Sequence, residues 1–370
     1  MTRRLAAVIP CAGFSGRMGR FKPLLKIGGR PIIVQIIETV RNANPEDIFV
    51  VAGHRAEELV SVVKKTGAKV VRNQDFADGM FSSVRVGVKH LGDSCDAFIF
   101  LPADIPLVRP ATLRRLADIG RREPGRLLYP VFLGRRGHPP VIPSELIPSI
   151  LENAGDGGLR AVLANHEDRA MEIPVADENI LFDMDHPQDY DEAIQRFARW
   201  HDPSPAECEA VLTEVYPTEE DIVHHGRRVQ RTAVAICRAM NRAGADLDEN
   251  RVAAAGLMHD IAKGAPDHAR VGGEMLKSVG FDRVAELVAA HTDLPEVEQH
   301  APGEAAIVYL ADKLTEKDRL VSLESRFELA LQRYGRDPEA RYAIEKRQAA
   351  AMAVKAKVEQ VTGQPLSRLH

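Results

Sequence analysis

Two fold classes are predicted within one chain: an α/β domain with a mainly parallel sheet, followed by an all-α domain. Two observations carry this. Over about the first 195 residues, short apolar runs alternate with helix-like stretches. From Thr218 onward no strand pattern is found, and helical periodicity broken by glycines takes over. The length of 370 residues agrees, because single cores rarely grow beyond ~250–300 residues.

The elements follow in order. Leu5–Ile9 is an apolar run ending in a glycine-rich loop, and Pro31–Arg41 has helical periodicity with proline at its start. Ile48–Ala52 and Ala68–Arg72 read as strands flanking a helix at Ala56–Lys65. Ser82–His90 reads as a helix and Ala97–Leu101 as a fourth strand. In such sheets ligands bind at the carboxyl ends of the strands. Trp200–Pro217 holds several prolines and acidic residues and reads as a boundary. The expected division is a first domain over 1–200, a linker over 201–217, a second domain over 218–325 and a helical extension over 326–370. Thr218 with the acids after it suits an N-cap and first turn. The last ~45 residues read as one or two exposed helices.

The net charge of −4 argues against a nucleic-acid partner, since such domains usually carry a basic excess. No stretch reaches the ~18 apolar residues of a membrane span, and the apolar run after the N-terminal arginines is too short for a signal peptide. Cys11, Cys95, Cys208 and Cys237 lie far apart without a CxxC spacing, so reduced thiols in a cytoplasmic protein are expected.

The loop Cys11-Ala12-Gly13-Phe14-Ser15-Gly16-Arg17-Met18-Gly19 follows the first strand. Its glycines let the backbone approach a ligand, and Arg17 and Lys22 add fixed positive charge, which together suit a triphosphate. It is neither a dinucleotide fingerprint nor a Walker A loop, and a short glycine loop also serves as a plain structural turn.

The stretch CAGFSGRMGRFKPLL resembles the signature of the molybdenum-cofactor nucleotidyltransferase family, with Cys11 where alanine is common. Further segments resemble that family in the same order. They are Asn73 with Gly79-Met80-Phe81-Ser82-Ser83, Leu101-Pro102-Ala103-Asp104, Gly134-Arg135-Arg136-Gly137-His138-Pro139, Gly155–Arg160 and Phe182-Asp183-Met184-Asp185-His186-Pro187-Gln188-Asp189. The resemblance implies a Rossmann-like nucleotidyltransferase fold. It implies a nucleotide site of Ala12, Gly13, Ser15, Gly16, Arg17, Lys22, Asn73, Ser82, Ser83 and Asp104, in which Ser82 and Ser83 read the base or ribose. Asp104 and Asp185 would hold Mg²⁺, with Arg17 and Lys22 stabilising the leaving pyrophosphate. On their own, Asp104 could cap a turn, Asp183, Asp185 and Asp189 could cap a helix, and His138 could be a packing residue. The loop looks like the cytidylyl branch, which favours CTP over GTP, molybdopterin as acceptor and an apo-molybdoenzyme of the xanthine dehydrogenase type as partner. The alternative is a cytidylyltransferase for a sugar or alcohol phosphate.

In the second domain, Met258-His259-Asp260-Ile261-Ala262-Lys263, with His225 upstream and Leu310-Ala311-Asp312-Lys313 downstream, resembles the HD superfamily of metal-dependent phosphohydrolases. The resemblance implies metal ligands at His225, His259, Asp260 and Asp312, with His268 and His291 placed for a second metal. His224 is an alternative to His225, and Lys263 is a candidate phosphate contact. Imidazole with carboxylate suits Mn²⁺, Fe or Zn²⁺, and such a site activates water towards a phosphate ester. A nucleotide-sensing module is the alternative for this half.

Overall fold

The computed structural model describes residues 4–92, 95–316 and 319–368. The chain divides into two compact units, Met1–Trp200 and His201–His370.

The first unit is built on an eight-stranded sheet. β1 (Leu5–Cys11), β2 (Asp47–Ala52), β3 (Lys69–Arg72) and β4 (Ala97–Phe100) lie where the apolar runs predict them, and α1 (Ile32–Arg41), α2 (Ala56–Val63) and α3 (Met80–Lys89) connect them. Every residue of β1 is buried, as expected of a strand covered on both faces. Then come α4 (Pro110–Arg122), β5 (Leu127–Phe132), β6 (Arg135–Arg136), β7 (Val141–Pro143), α5 (Ile147–Glu152), α6 (Gly158–Ala164), β8 (Ala170–Pro174) and α7 (Pro187–Ala198). The strand order is β8-β5-β7-β4-β1-β2-β3, with β6 paired to β5. β1 runs parallel to both β2 and β4, whereas β7 is antiparallel to its neighbours β4 and β5. Three of the last four strands escaped sequence assignment because β6 and β7 are only two and three residues long, and β5 carries Pro130 in its middle; an internal proline argues against a strand.

The chain moves outward from β1 in one direction to β2 and β3, then returns to β4 on the other side. That reversal opens a crevice at the carboxyl ends of β1 and β4. Backbone bonds from Leu101 to Val8 (3.1 Å) and from Ala103 to Pro10 (3.2 Å) seat the loop after β4 beside the glycine loop after β1.

The second unit is helical. Its elements are α8 (Pro205–Ala210), α9 (Glu220–Arg242), α10 (Glu249–Met258), α11 (His268–Ser278), α12 (Asp282–Ala289), α13 (Glu296–His300), α14 (Glu304–Lys313), α15 (Leu323–Tyr334) and α16 (Pro338–Thr362). Three features differ from expectation. A two-residue strand pairing joins Thr315–Glu316 to Arg319–Leu320, too short to leave a periodic signal. Most of the supposed linker is folded: Ser204 and Glu207 close a capping box on α8, and Asp202 holds Arg251 of α10 at 2.8 Å. α16 is also not simply exposed, because Ile344, Ala351, Val354 and Val358 form a buried stripe on it.

α9 and α10 pack at unusually short range. A Cβ built on Gly226 of α9 would lie 2.2 Å from the Leu257 carbonyl oxygen of α10, and one on Gly256 of α10 would lie 2.9 Å from the Gln230 Cα of α9. Glycine costs a helix about 1 kcal/mol relative to alanine, so these two positions give up helix stability for close approach. All four cysteines are buried and free. Among the described residues, no helix is long and apolar enough to cross a membrane.

Candidate functional site

In the first unit, the glycine loop stands open at the end of β1. Gly13 and Gly16 are exposed, and a Cβ on either would meet nothing within 4 Å. Ser15 adopts the left-handed conformation (φ 54°), and its hydroxyl accepts the Lys22 amide at 3.2 Å, which curls the loop. The amides of Gly13, Phe14, Ser15, Gly16 and Arg17 donate to no acceptor among the described residues. A loop of unspent amides is a nest for an anion. Ala12 is buried, and its carbonyl accepts the His54 amide at 3.0 Å.

Facing the loop is a carboxylate cluster. Ligand atoms of Asp104, Asp183 and Asp185 lie within 4.8 Å of one another. The Met184 amide donates to the Asp104 carbonyl at 2.9 Å, so the two acidic segments are joined through the main chain. Lys22 Nζ lies 2.6 Å and an Arg17 guanidinium nitrogen 2.7 Å from the Asp185 carboxylate. The Lys22 ammonium, followed by Arg17, holds Asp185 below the usual carboxylate range. Burial pushes Asp104 up. Burial, then the neighbouring Asp104 and Asp185, push Asp183 up to about 6. Three carboxylates that resist joint ionisation form a donor set that fits a hard divalent cation.

Asp183 was not singled out as a ligand by sequence reasoning. The available signal was alternation: in an extended segment, residues i and i+2 point to one side, and Met184 between the two acids is fully buried on the other. The capping role open to Asp185 belongs to Asp189, which accepts the Asp185 and His186 amides at 2.7 and 2.6 Å. Asn73 and the two serines are engaged with one another. The Asn73 side-chain amide donates to Ser82 Oγ (2.8 Å) and Ser83 Oγ (2.9 Å), and Ser82 donates on to the Gly79 carbonyl. Ser83 is buried, so its geometry is that of a residue holding the start of α3 in place. Beside the carboxylates lies a cavity of about 360 Å³ lined by Met80, Pro102, Arg136 and His138 among others. His138 Nδ1 has no hydrogen-bond partner, and burial lowers this imidazole's pKa.

In the second unit, five helices deliver the histidines and acids to one point. His225 lies on α9, His259 and Asp260 directly follow α10, His268 opens α11, His291 follows α12 and Asp312 lies near the end of α14. Two compact triads result, His225–His259–Asp312 and His259–Asp260–His291. The two oxygens of Asp260 face different histidine pairs. Oδ2 is 4.0 Å from His225 and 3.5 Å from His259, while Oδ1 is 3.4 Å from His268 and 3.6 Å from His291.

The histidine tautomers are set from behind. His259 Nδ1 lies 2.9 Å from the Gly256 carbonyl and His291 Nδ1 2.6 Å from the Val288 carbonyl. Donation there leaves each Nε2 pointing into the cluster. His259 Nε2 is fully buried and has no hydrogen-bond partner; at 3.5 Å from both Asp260 and Asp312 it is too distant for a good one. A buried, unpaired nitrogen among carboxylates fits a metal ligand. Burial lowers the His291 pKa and so favours the neutral ring that binds metal. Burial opposes the ionisation of Asp260 and Asp312, yet His268 and His291 at the first, and Lys313 with His225 at the second, hold both below the usual range.

His224 is exposed and pairs only loosely with Glu220 at 3.6 Å, so His225 is the cluster member. His268 stands at the margin, 3.2 Å from His291 Nε2, one-third exposed and outside both triads. Lys263 Nζ sits 2.6 Å from Asp260, and Lys313, which sequence reasoning did not single out, sits 2.7 Å from Asp312.

Comparison with known proteins agrees with this division. Residues 7–170 match the family model of the MobA-like NTP transferase domain, and residues 222–317 match that of the HD domain. The bifunctional protein GlmU of Neisseria gonorrhoeae is 32% identical over 137 residues, covering 35% of this chain and 29% of that protein. GlmU of Burkholderia thailandensis is 37% identical over 114 residues, covering 30% of this chain and 24% of that protein. The chain thus spans less than a third of the length of these curated relatives. Among solved structures, a nucleotidyl transferase from Methanothermobacter thermautotroptrophicus is 26% identical with a TM-score of 0.46, covering 53% of this chain and 98% of that one. The first unit therefore carries a MobA-like NTP transferase domain and the second an HD domain, and the chain is a fusion of the two.

Proposed function

We propose that the first domain transfers cytidylyl from CTP to the phosphate of molybdopterin, and that the second hydrolyses a phosphate ester. The observation that carries the transferase reading is the opposition of the open amide loop, with Lys22 and Arg17, to the Asp104–Asp183–Asp185 cluster. In this reading the loop amides receive the β- and γ-phosphates. An oxygen of the acceptor phosphate attacks the α-phosphorus, the bond from that phosphorus to the bridging oxygen breaks, and pyrophosphate departs with the electron pair. Lys22 and Arg17 offset the charge gathering on the leaving group. Mg²⁺ held by the three carboxylates would neutralise the α-phosphate. Arg136 and His138 border the adjoining cavity, where an acceptor phosphate has room.

For the second domain, the carrying observation is the buried, unpaired His259 Nε2 at the junction of the two triads. Asp260, facing two histidine pairs, supports a pair of divalent metals such as Mn²⁺, Fe or Zn²⁺, which would supply a nucleophilic water at neutral pH. His225, His259, His291, Asp260 and Asp312 hold and orient that centre, and Lys263 and Lys313 stand ready to meet phosphate oxygens.

The test is pyrophosphate release from CTP or GTP with Mg²⁺ and molybdopterin. Release with CTP, lost in Asp104→Ala, supports the reading. No release with either nucleotide moves the acceptor to a sugar or alcohol phosphate.

A further inference from the structure

The HD-domain metal set forms one wall of a cavity of about 1110 Å³, at the upper end of small-ligand pockets, which run to roughly 1,000 Å³. Lys263 and Lys313 stand at its metal-binding end, each on a carboxylate of the set. Arg326 and Arg333 of α15 line the same cavity. They are seven residues apart, so they project within about 20° of one another and roughly 10 Å apart along the helix. Their position is fixed by α15 itself, which buries Leu323 and Phe327 on the neighbouring stripe. Neither guanidinium has an ion pair or hydrogen bond among the described residues. This sets them apart from arginines such as Arg270 and Arg347, which are paired to carboxylates. Glu219, Asp221 and Glu316 also line the cavity.

We propose that Arg326 and Arg333 bind the distal phosphates of a substrate with two or more linked phosphates, whose P–O–P bridge the HD centre hydrolyses. This rests on the metal-dependent reading of that centre. Two guanidiniums lining the same cavity as the metal-ligand set match a chain of phosphates rather than one, because each planar fork takes one phosphate in bidentate fashion. Water's oxygen joins one phosphorus, the bridging oxygen leaves on the other phosphate, and each product keeps one of water's two protons. Inorganic pyrophosphate and a nucleoside triphosphate share this chemistry.

The experiment uses the full chain in a Lys22→Met background, which weakens the first domain's own phosphate site. Manganese content is measured first, then calorimetric binding and hydrolysis of inorganic pyrophosphate, CTP and bis(p-nitrophenyl) phosphate, with and without Arg326→Gln and Arg333→Gln. The expected result is unchanged manganese content, unchanged kcat on the diester, about tenfold weaker binding of CTP for each substitution, and about tenfold weaker binding of pyrophosphate, with its single distal phosphate, for at least one of them, within the usual strength of charge-assisted bonds. A loss confined to pyrophosphate, or confined to CTP, identifies which source the site takes. Equal binding of both by parent and double variant, with manganese retained and the diester cleaved, overturns the proposal and leaves the HD reading standing. No manganese and no cleavage in the parent overturns that reading, and the proposal with it.

Discussion

Gly226→Ala tests whether helix spacing builds the HD site. The new methyl carbon would sit 2.2 Å from the Leu257 carbonyl oxygen, where carbon atoms prefer contacts of about 3.5 Å. The atom it meets is backbone, so α9 and α10 must separate by about 1 Å. Overpacking of this kind costs roughly 1–3 kcal/mol, and alanine returns about 1 kcal/mol of helix propensity. A net loss of up to about 2 kcal/mol should lower Tm by up to roughly 8 °C in a unit of this size. The displacement falls on the proposed ligands, because Gly226 adjoins His225 and Leu257 lies one turn from Asp260. His225 Nε2 starts 3.4 Å from Asp312 Oδ1, and a shift of about 1 Å exceeds the roughly 0.5 Å tolerance of a working site. Metal content by plasma mass spectrometry should therefore fall along with Tm from scanning calorimetry. Full metal content and an unchanged Tm would refute the argument that the glycine contact sets the ligand spacing.

Other outcomes follow from the first domain and from metal removal. Lys22→Met should reduce pyrophosphate release by about 10²–10³-fold, since Lys22 is the more sheltered of the two cations on Asp185; steady-state kcat is the readout. Asp183 is raised to about 6 by burial and by its two acidic neighbours. In the metal-free protein its contribution is therefore full below the ordinary carboxylate range and is lost as pH rises towards about 6. Denaturant titrations between pH 4 and 7 should show that loss, Mg²⁺ should suppress it, and apparent Mg²⁺ affinity should climb over the same window. Asp189→Ala removes the acceptor for the Asp185 and His186 amides. It should cost about 1 kcal/mol as a lost helix cap and weaken Mg²⁺ binding without removing a ligand; retained Mg²⁺ affinity would count against the positioning role. A chelator should lower the Tm of the full chain, because His259 Nε2 is left buried and unpaired, and a Tm insensitive to chelation would argue against a metal there.

What the sequence made legible was what lies close together along it. The glycine loop and the adjacent His259 and Asp260 are continuous strings, and the first four strands are plain apolar runs bounded by turn residues. Three-dimensional assignments were harder. Asp183 joins the carboxylate cluster only because the segment around Met184 is extended, and nothing in its residue type separates a ligand from a cap. Asp189 looks like its neighbours in sequence, yet it takes the capping role that leaves Asp185 free. Ser83 carries a hydroxyl suited to a ligand, but burial turns it towards Asn73. The proline-rich stretch after Trp200 reads as a linker, and Ser204 and Glu207 instead start a helix there. The Asn73–Ser83 bond spans ten positions, whereas the Asp189 and Ser204–Glu207 bonds span three or four and are masked in the sequence by the acidic and proline-rich residues around them.

The backbone bond from the Met184 amide to the Asp104 carbonyl joins two segments eighty positions apart. It works as a fixed gauge: the gap between the opposing acids is measured by main chain, while side-chain reach would choose any ion held between them. Lengthening Asp104 to Glu would narrow that gap without moving its frame, so the size of a cation bound there would be retuned by one methylene.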